Sequence, residues 1–167
     1  MKFFLPRKPP KQISMMAAAL GVAQAQTCIP NFAGQNVAVF VSGTWSASPV
    51  AAGSSIVPAD SSTMTFSVTP DASQAFSFKT AAGSLAVSGA SGGITLQTAN
   101  DNDALQKYLI DCSECNVFGN PATARGCQIR PFTNQGQCLA DFGIDLQVAT
   151  VRCDIPVAGR FWHFNAV

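Results

Sequence analysis

Apolar and polar residues alternate along this chain in short runs, and turn-forming residues interrupt each run. In Met64-Thr65-Phe66-Ser67-Val68 every second side chain is apolar, and a period of two places those side chains on one face of a β-strand. Gly, Pro, Asn and Asp separate this run from similar runs, as they do between strands. Helix-forming charged residues are scarce, and Glu114 is the only Glu. The pattern therefore predicts an all-β protein.

The end of the chain repeats an earlier stretch at a fixed distance. Leu139 lies 54 positions after Leu85, and several further similar pairs share this offset without a gap. They include Ile94 and Val148, Ala104 and Ala158, and Tyr108 and Trp162. Together with a looser first passage, this gives three repeats at about 29–71, 74–116 and 127–167, each predicted to form four short strands.

Three copies of a four-stranded unit, each closing on an aromatic strand, predict a β-trefoil. No single unit can bury its apolar face alone, so we expect three units to pack around a pseudo-threefold axis. Phe66, Tyr108 and Trp162 should then meet near that axis. A Greek-key β-sandwich is the alternative fold, because short alternating strands occur in both architectures.

Residues 1–25 are predicted to be a signal peptide, which leaves a single domain at 26–167. A basic start is followed by a mostly apolar run from Ile13 to Val22, and Ala23-Gln24-Ala25 fits a small-x-small cleavage pattern. No later segment approaches the ~18 to 20 apolar residues that span a bilayer. We therefore expect a secreted, extracellular protein without a membrane partner.

Charge argues against a nucleic-acid partner. Charged residues make up only 11% of the chain. Once the four basic residues of the leader are removed, 10 − 4 = 6 Lys and Arg stand against 9 Asp and Glu, a formal charge of −3. Nucleic-acid-binding domains instead carry clustered positive charge. The sequence does not indicate an oligomeric state.

All six cysteines follow the predicted cleavage site, and an even count in an exported chain predicts three disulfides. Cys138 and Cys153 occupy the positions of Ser84 and Ala99 in the preceding repeat, so their pairing would join two strands of one repeat. The other four cysteines allow three connectivities. We prefer Cys112 with Cys127, facing each other across a hairpin, and Cys28 with Cys115.

The cysteine and aromatic motifs resemble the repeat of the ricin B-type lectins, with its Gln-x-Trp signature. Cys138-Leu139, Cys153-Asp154 and Arg160-Phe161-Trp162 follow the order of that repeat, and Gln106-Lys107-Tyr108 keeps the Gln and an aromatic. The resemblance implies a β-trefoil whose Gln-x-Trp residues hold the core. It also implies a disulfide within a repeat, which the Cys138 to Cys153 bridge would match.

The sugar site of such a repeat has an acidic residue directly after Cys-Leu and an aromatic platform two residues before the second Cys. Here Ala140 follows Cys-Leu, Asp141 comes one place late, and Val151 stands at the platform position. We therefore expect an altered carbohydrate-binding site at Asp141, Phe142 and Gln147. We expect Asp141→Ala to abolish binding without harming the fold. The alternative is a simple turn with Phe142 partly buried.

Other candidate chemistry is sparse, and we predict neither an enzyme nor a metal or cofactor. His163 is the only histidine, and no nucleophile motif accompanies it. Asn100-Asp101-Asn102-Asp103 lacks the spacing of a calcium loop and suits a turn. A zinc site at Cys112-x-x-Cys115 is disfavoured because an oxidising compartment removes thiolates. Trp45 could be an exposed stacking residue or a buried one.

Two functions are compatible with these patterns. The first is a secreted carbohydrate-binding protein of the ricin B-type kind, with a glycan partner. The second is a disulfide-braced scaffold that binds an extracellular protein, for instance as a protease inhibitor, through loops such as 43–53 or 119–126.

Overall fold

A computed structural model describes residues 27–32, 34–61, 64–120 and 122–167, and the main-chain course of Phe118 without its side chain. The predicted signal peptide at 1–25 lies outside the described residues. In this part of the chain twelve strands alternate with short loops. They are β1 (Asn36–Phe40), β2 (Thr44–Ser46), β3 (Val57–Ala59), β4 (Phe66–Pro70), β5 (Phe76–Thr80), β6 (Leu85–Ser88), β7 (Thr95–Thr98), β8 (Tyr108–Cys115), β9 (Ala124–Pro131), β10 (Gln137–Ala140), β11 (Ala149–Arg152) and β12 (Trp162–Ala166). Single 3₁₀ turns occupy Ala104–Gln106, Val117–Gly119 and Ala158–Arg160.

Six of the strands close into an antiparallel barrel. Around the barrel the order is β1, β12, β9, β8, β5 and β4, and β4 returns to pair with β1. The register places apolar residues opposite each other, as at Val39 and Phe164 and at Ile110 and Ile129. Inward and outward side chains alternate, as the period of a strand requires. Along β5, for example, Phe76, Phe78 and Thr80 are buried while the residues between them are half-buried.

The other six strands form three hairpins outside the barrel, β2 with β3, β6 with β7, and β10 with β11. In each hairpin, the residue directly before the second strand forms backbone hydrogen bonds with the equivalent residues of the other two hairpins. The Ile56 N–H donates to the Ile94 carbonyl at 3.1 Å, Ile94 donates to Val148 at 2.9 Å, and Val148 donates back to Ile56 at 2.9 Å. All three side chains are completely buried. This closed ring of backbone hydrogen bonds fixes the hairpins to one another.

Aromatic side chains fill the interior. Trp45, for which the sequence allowed either an exposed or a buried position, is fully buried. Its ring centroid lies 5.8 Å from that of Phe66 and 5.1 Å from that of Trp162. Phe78 lies 5.5 Å from Tyr108 and 6.3 Å from Phe66. The three rings expected near a common axis, Phe66, Tyr108 and Trp162, are thus all buried and are linked through Trp45 and Phe78. The Trp162 indole N–H also donates to the Leu139 carbonyl at 3.0 Å.

The predicted fold classes, a β-trefoil and alternatively a Greek-key sandwich, are corrected to an all-β closed barrel of six antiparallel strands with outer strands. Alternating residues identify the strands within each passage and do not specify pairing between passages. Three of the barrel pairs, β4 with β5, β8 with β9 and β12 with β1, join strands of different passages. A sandwich is excluded because the barrel strands form one closed sheet.

The ungapped offset of 54 also needs correction. It holds where β7 begins at Thr95 and β11 at Ala149, but β6 and β10 begin at Leu85 and Gln137, an offset of 137 − 85 = 52. These two strands share one burial pattern, half-buried and then three buried residues. Leu139 therefore corresponds to Val87, because the loop after β10 is two residues longer than the loop after β6.

Three disulfides brace the chain, with the connectivity that the sequence analysis prefers. They are Cys28–Cys115, Cys112–Cys127 and Cys138–Cys153. The first attaches the start of the described chain to β8, where Cys28 also exchanges two backbone hydrogen bonds with Cys112. The last ties together the β10–β11 hairpin. Disulfides of this kind are typical of extracellular proteins.

We predict that Ile94→Ala destabilises the protein by about 2 to 5 kcal/mol, because it leaves a cavity where the three hairpins meet. Leu105→Ala is the matched control, since Leu105 is 47% exposed, and it should stay within about 0.5 kcal/mol. Urea unfolding with the disulfides intact measures both free energies of unfolding. Equal losses for the two variants would contradict a central role for the hairpin junction.

Candidate functional site

The three residues predicted to bind carbohydrate differ in their exposure to solvent. Asp141 is buried, with 7% of its surface exposed, whereas its neighbour Phe142 is 49% exposed. Gln147 is exposed, and its side-chain amide donates to the Ile94 carbonyl at 3.1 Å. A carboxylate, an aromatic ring and an amide must face one space to hold a pyranose, and here the carboxylate is withdrawn from the surface that carries the ring.

Asp141 connects two loops. Its Oδ2 accepts hydrogen bonds from the Ser42 N–H at 2.9 Å and the Ser42 hydroxyl at 2.6 Å, and its Oδ1 accepts from the Gly143 N–H at 2.6 Å. Its own N–H donates to the Gly159 carbonyl at 2.8 Å. The carboxylate therefore already has three donors from the protein. Its position just outside β10 serves to anchor the 141–147 loop.

Apolar side chains nevertheless face solvent in the two segments that Asp141 holds together. Phe142 and Leu146 on the 141–147 loop are 49% and 53% exposed, and Ile155 and Phe161 on the 153–161 segment are 45% and 41% exposed. These four residues, which we call the apolar surface, are half of the eight large apolar side chains that are exposed in the described part of the chain. Of these four residues only Phe142 was predicted from the sequence, although large apolar residues within turn-rich segments were a signal for the others.

The segments that carry the apolar surface are held in place by polar contacts. Arg160 donates to the Ile155 carbonyl at 2.8 Å and to the Cys153 carbonyl, and its guanidinium lies 5.0 Å from the centroid of the Phe161 ring. The Asp141 to Gly159 hydrogen bond joins the two segments. A side chain at Gly159 would collide with the Asp141 carbonyl, so this close approach requires glycine. The apolar side chains thus project from fixed backbone.

A polar cleft of about 680 Å³ lies between the β6–β7 hairpin and the Ala104–Gln106 turn. Its polar groups are largely engaged. The buried Gln106 amide accepts from the Asn100 N–H at 2.9 Å and donates to the Thr98 carbonyl at 2.9 Å, and Asp103 caps the turn by accepting from the Leu105 N–H. The Asn100–Asp103 run is therefore a structural turn, and Gln106 holds it in place.

The cysteines offer no free thiol, because all six form disulfides. Within the described ranges, no three His, Cys, Asp or Glu side chains gather where they could hold a metal ion. None of the helices in that part of the chain is long and apolar enough to cross a bilayer.

His163 lies on β12 with its ring half-buried, 5.3 Å from the centroid of Phe40. Among the described residues its Nδ1 finds no hydrogen-bond partner. Burial holds the pKa of His163 below its ordinary value. The Arg125 guanidinium lowers that pKa further, while Glu114 acts in the opposite direction. The imidazole is accordingly neutral at neutral pH.

No protein-family model and no curated protein matches the chain. Solved structures do match in fold. A mosquitocidal holotoxin superposes with a TM-score of 0.63 at 10% identity, covering 80% of this chain and 17% of that one. The lysenin pore superposes with a TM-score of 0.61 at 14% identity, covering 85% of this chain and 48% of that one. The chain thus spans less than half of either protein.

These matches correct the functional predictions. The two matched structures are those of a mosquitocidal holotoxin and of the lysenin pore, and neither is named as a lectin or a protease inhibitor. The carbohydrate-binding prediction also loses its residue basis, because Asp141 is buried and bonded within the chain. At these identities the likeness establishes the fold and leaves the activity open.

We predict that Asp141→Ala destabilises the protein by about 2 to 3 kcal/mol, because it leaves the Ser42 and Gly143 donors without their acceptor. This replaces the expectation that the substitution would spare the fold. Asp60→Ala removes an exposed carboxylate and should cost under about 0.5 kcal/mol. Urea unfolding compares the two variants, and an Asp141→Ala protein as stable as Asp60→Ala would refute the anchoring role.

Stability should also depend on the protonation of His163. Its folded-state pKa is lowered, so its contribution is fully present above the unfolded pKa of about 6.5 and is lost as pH falls toward the folded-state value. We therefore expect the melting temperature to fall between about pH 7.5 and about pH 5.5, and to fall less in His163→Gln. An identical decrease in both proteins would show that other groups cause it.

Proposed function

We propose that this chain is a secreted, non-enzymatic binding module that attaches to a protein on the surface of a target cell. The observation that carries the proposal is the apolar surface, because four large apolar side chains are exposed on two segments that the Asp141 to Gly159 hydrogen bond joins. Exposed apolar patches that a folded scaffold holds in place commonly mark interaction sites.

The composition of the apolar surface favours a protein partner. It consists of two Phe side chains, a Leu and an Ile, and the Arg160 guanidinium stacks on one of them, Phe161. Aromatic residues and Arg are enriched in the centres of protein interfaces and supply most of their binding energy. Because the backbone beneath is held by hydrogen bonds and the Cys138–Cys153 disulfide, little conformational entropy remains to be lost on binding.

A lipid surface is the less favoured partner. Segments that bind anionic membranes carry Lys and Arg around their apolar side chains. In the two segments Arg160 is the one cation, against the exposed carboxylates of Asp145 and Asp154, and the described part of the chain has 6 Lys and Arg against 9 Asp and Glu. A negatively charged neighbourhood would be repelled by an anionic membrane.

The shared fold supports the idea of a module. In the mosquitocidal holotoxin and the lysenin pore the same architecture is part of a larger protein, 17% and 48% of the matched chains. The three disulfides and the predicted leader at 1–25 support export. The proposal therefore concerns attachment to a cell and leaves any toxic activity aside.

The test measures saturable binding of the fluorescently labelled protein to a panel of insect and vertebrate cell lines. Insect cells are included because one matched structure is that of a mosquitocidal toxin. We expect binding that disappears after the cells are treated with protease and persists after treatment with glycosidases. Binding that survives protease, or that neutral and anionic liposomes reproduce, would overturn the proposal.

Phe142→Ala combined with Leu146→Ala should weaken cell binding at least tenfold, because interface anchors cost more than about 1.4 kcal/mol when truncated. The matched control combines Val50→Ala with Leu105→Ala, two side chains of similar exposure (58% and 47%) outside the apolar surface. The control should bind as the wild type does. Equal binding by both double variants would place the contact elsewhere.

A further inference from the structure

A second cleft lies on the outer face of β4 and β5. None of the residues that line it belongs to the 141–147 loop or the 153–161 segment. It has a volume of about 220 Å³ and combines two lysines with hydroxyl groups and two carboxylates. Its lining includes Thr69, Asp71, Ser77, Lys79, Asp101 and Lys107. The proposed attachment function makes no use of these residues.

The strand pairing accounts for the floor of this cleft. Thr69 on β4 lies directly opposite Ser77 on β5, and Ser67 lies opposite Lys79. Residues two apart on a strand share a face, so Ser77 and Lys79 point to the same side. That side is the outer one, because the alternate residues Phe76 and Phe78 are buried. The strand geometry thus sets two hydroxyl groups beside an ammonium group.

Lys107 is held rigidly on the wall of the cleft. Its Nζ lies 2.6 Å from Asp71 Oδ2, and Asp71 Oδ1 accepts from the Ser73 N–H, the Ser73 hydroxyl and the Ala75 N–H. The Lys107 ammonium, followed by these donors, keeps the pKa of Asp71 well below its usual range. Asp71 is therefore a fixed counterion, and the remaining protons of the ammonium are available to a further acceptor.

Lys79 has a much looser counterion. Its Nζ lies 2.6 Å from Asp101 Oδ1, but the Asp101 side chain is 76% exposed and lies in the turn before the 3₁₀ segment. An ion pair this exposed contributes little free energy. The Asp101 carboxylate can accordingly leave Lys79 at small cost when a better acceptor arrives.

We propose that this cleft binds a tetrahedral oxyanion, phosphate or sulfate, which takes the place of the Asp101 carboxylate on Lys79. The anion would accept charge-assisted hydrogen bonds from Lys79 and Lys107 and neutral ones from Thr69 and Ser77. The cleft is several times larger than the ~30 Å³ of one water molecule, so it also admits an ester of either acid. The source is a free ion or an ester group on a protein.

The experiment titrates the intact protein with sodium sulfate and, separately, sodium phosphate by calorimetry, with sodium chloride added to keep the ionic strength constant. Binding of the inorganic ions to the wild type is expected. A peptide bearing a tyrosine sulfate ester, with its unsulfated counterpart as control, distinguishes the sources: the ester binds more tightly if it is the ligand and no better than sulfate if the free ion is. Absence of heat with both ions and both peptides would overturn the proposal.

Substitutions locate the site. Lys79→Gln should weaken binding at least tenfold because it removes a charge-assisted hydrogen bond, while Lys79→Arg should retain binding. Asp101→Asn should tighten it about two- to fivefold, since it removes the competing carboxylate of an exposed pair. Arg152→Gln, which removes another salt-bridged cation from the surface, should leave affinity unchanged. Weakening by Asp101→Asn, or equal losses in Lys79→Gln and Arg152→Gln, would contradict the site.

Ion binding at the cleft is tested independently of the proposed attachment to cells. Thermal unfolding checks that each variant is folded before its affinity is interpreted. Lys79→Gln leaves the apolar surface intact, and the Phe142 and Leu146 double variant leaves the cleft intact. A wild-type protein that binds cells but neither ion would therefore overturn the cleft proposal and leave the attachment proposal standing.

Discussion

The ring of backbone hydrogen bonds among Ile56, Ile94 and Val148 is the constraint on which the rest of the structure depends. A two-stranded hairpin is marginally stable by itself, and three of them lie outside the barrel in the described part of the chain. Each hairpin donates to one neighbour and accepts from the other, so none can shift without breaking two hydrogen bonds between buried residues. The loops beyond the ring are free to vary in length.

The β10–β11 hairpin differs from the β6–β7 hairpin in the length of its loop. The two extra residues between β10 and β11 create the 141–147 loop, and a buried carboxylate at Asp141 ties that loop to Ser42. The acidic residue thus contributes to structure, while the neighbouring Phe142 is left facing solvent. The apolar surface exists because the loop is anchored from within and presents Phe142 and Leu146 outward.

Much of the local structure was predictable from the sequence. Alternation in runs such as 64–68 identified the all-β class, and the alignment of the repeats led to the observed pairing of Cys138 with Cys153. The closure of the barrel was not predictable, since strand patterns do not specify which passages pair. The burial of Asp141, which removes it from the predicted carbohydrate site, could not be predicted either. Whether Asp141 faces solvent depends on Ser42, 99 positions earlier in the chain, and no local pattern contains that contact.

The two proposed sites share a physical design despite their opposite chemistry. The apolar surface rests on backbone hydrogen bonds and Arg160, and the oxyanion cleft rests on the Lys107–Asp71 pair and the β4–β5 register. In both, the groups that would contact a ligand are positioned before it arrives, so the conformational entropy has already been lost during folding. Among the groups that form the two proposed sites, the exposed Asp101 carboxylate is the one that has to move, because it occupies Lys79 until an anion replaces it.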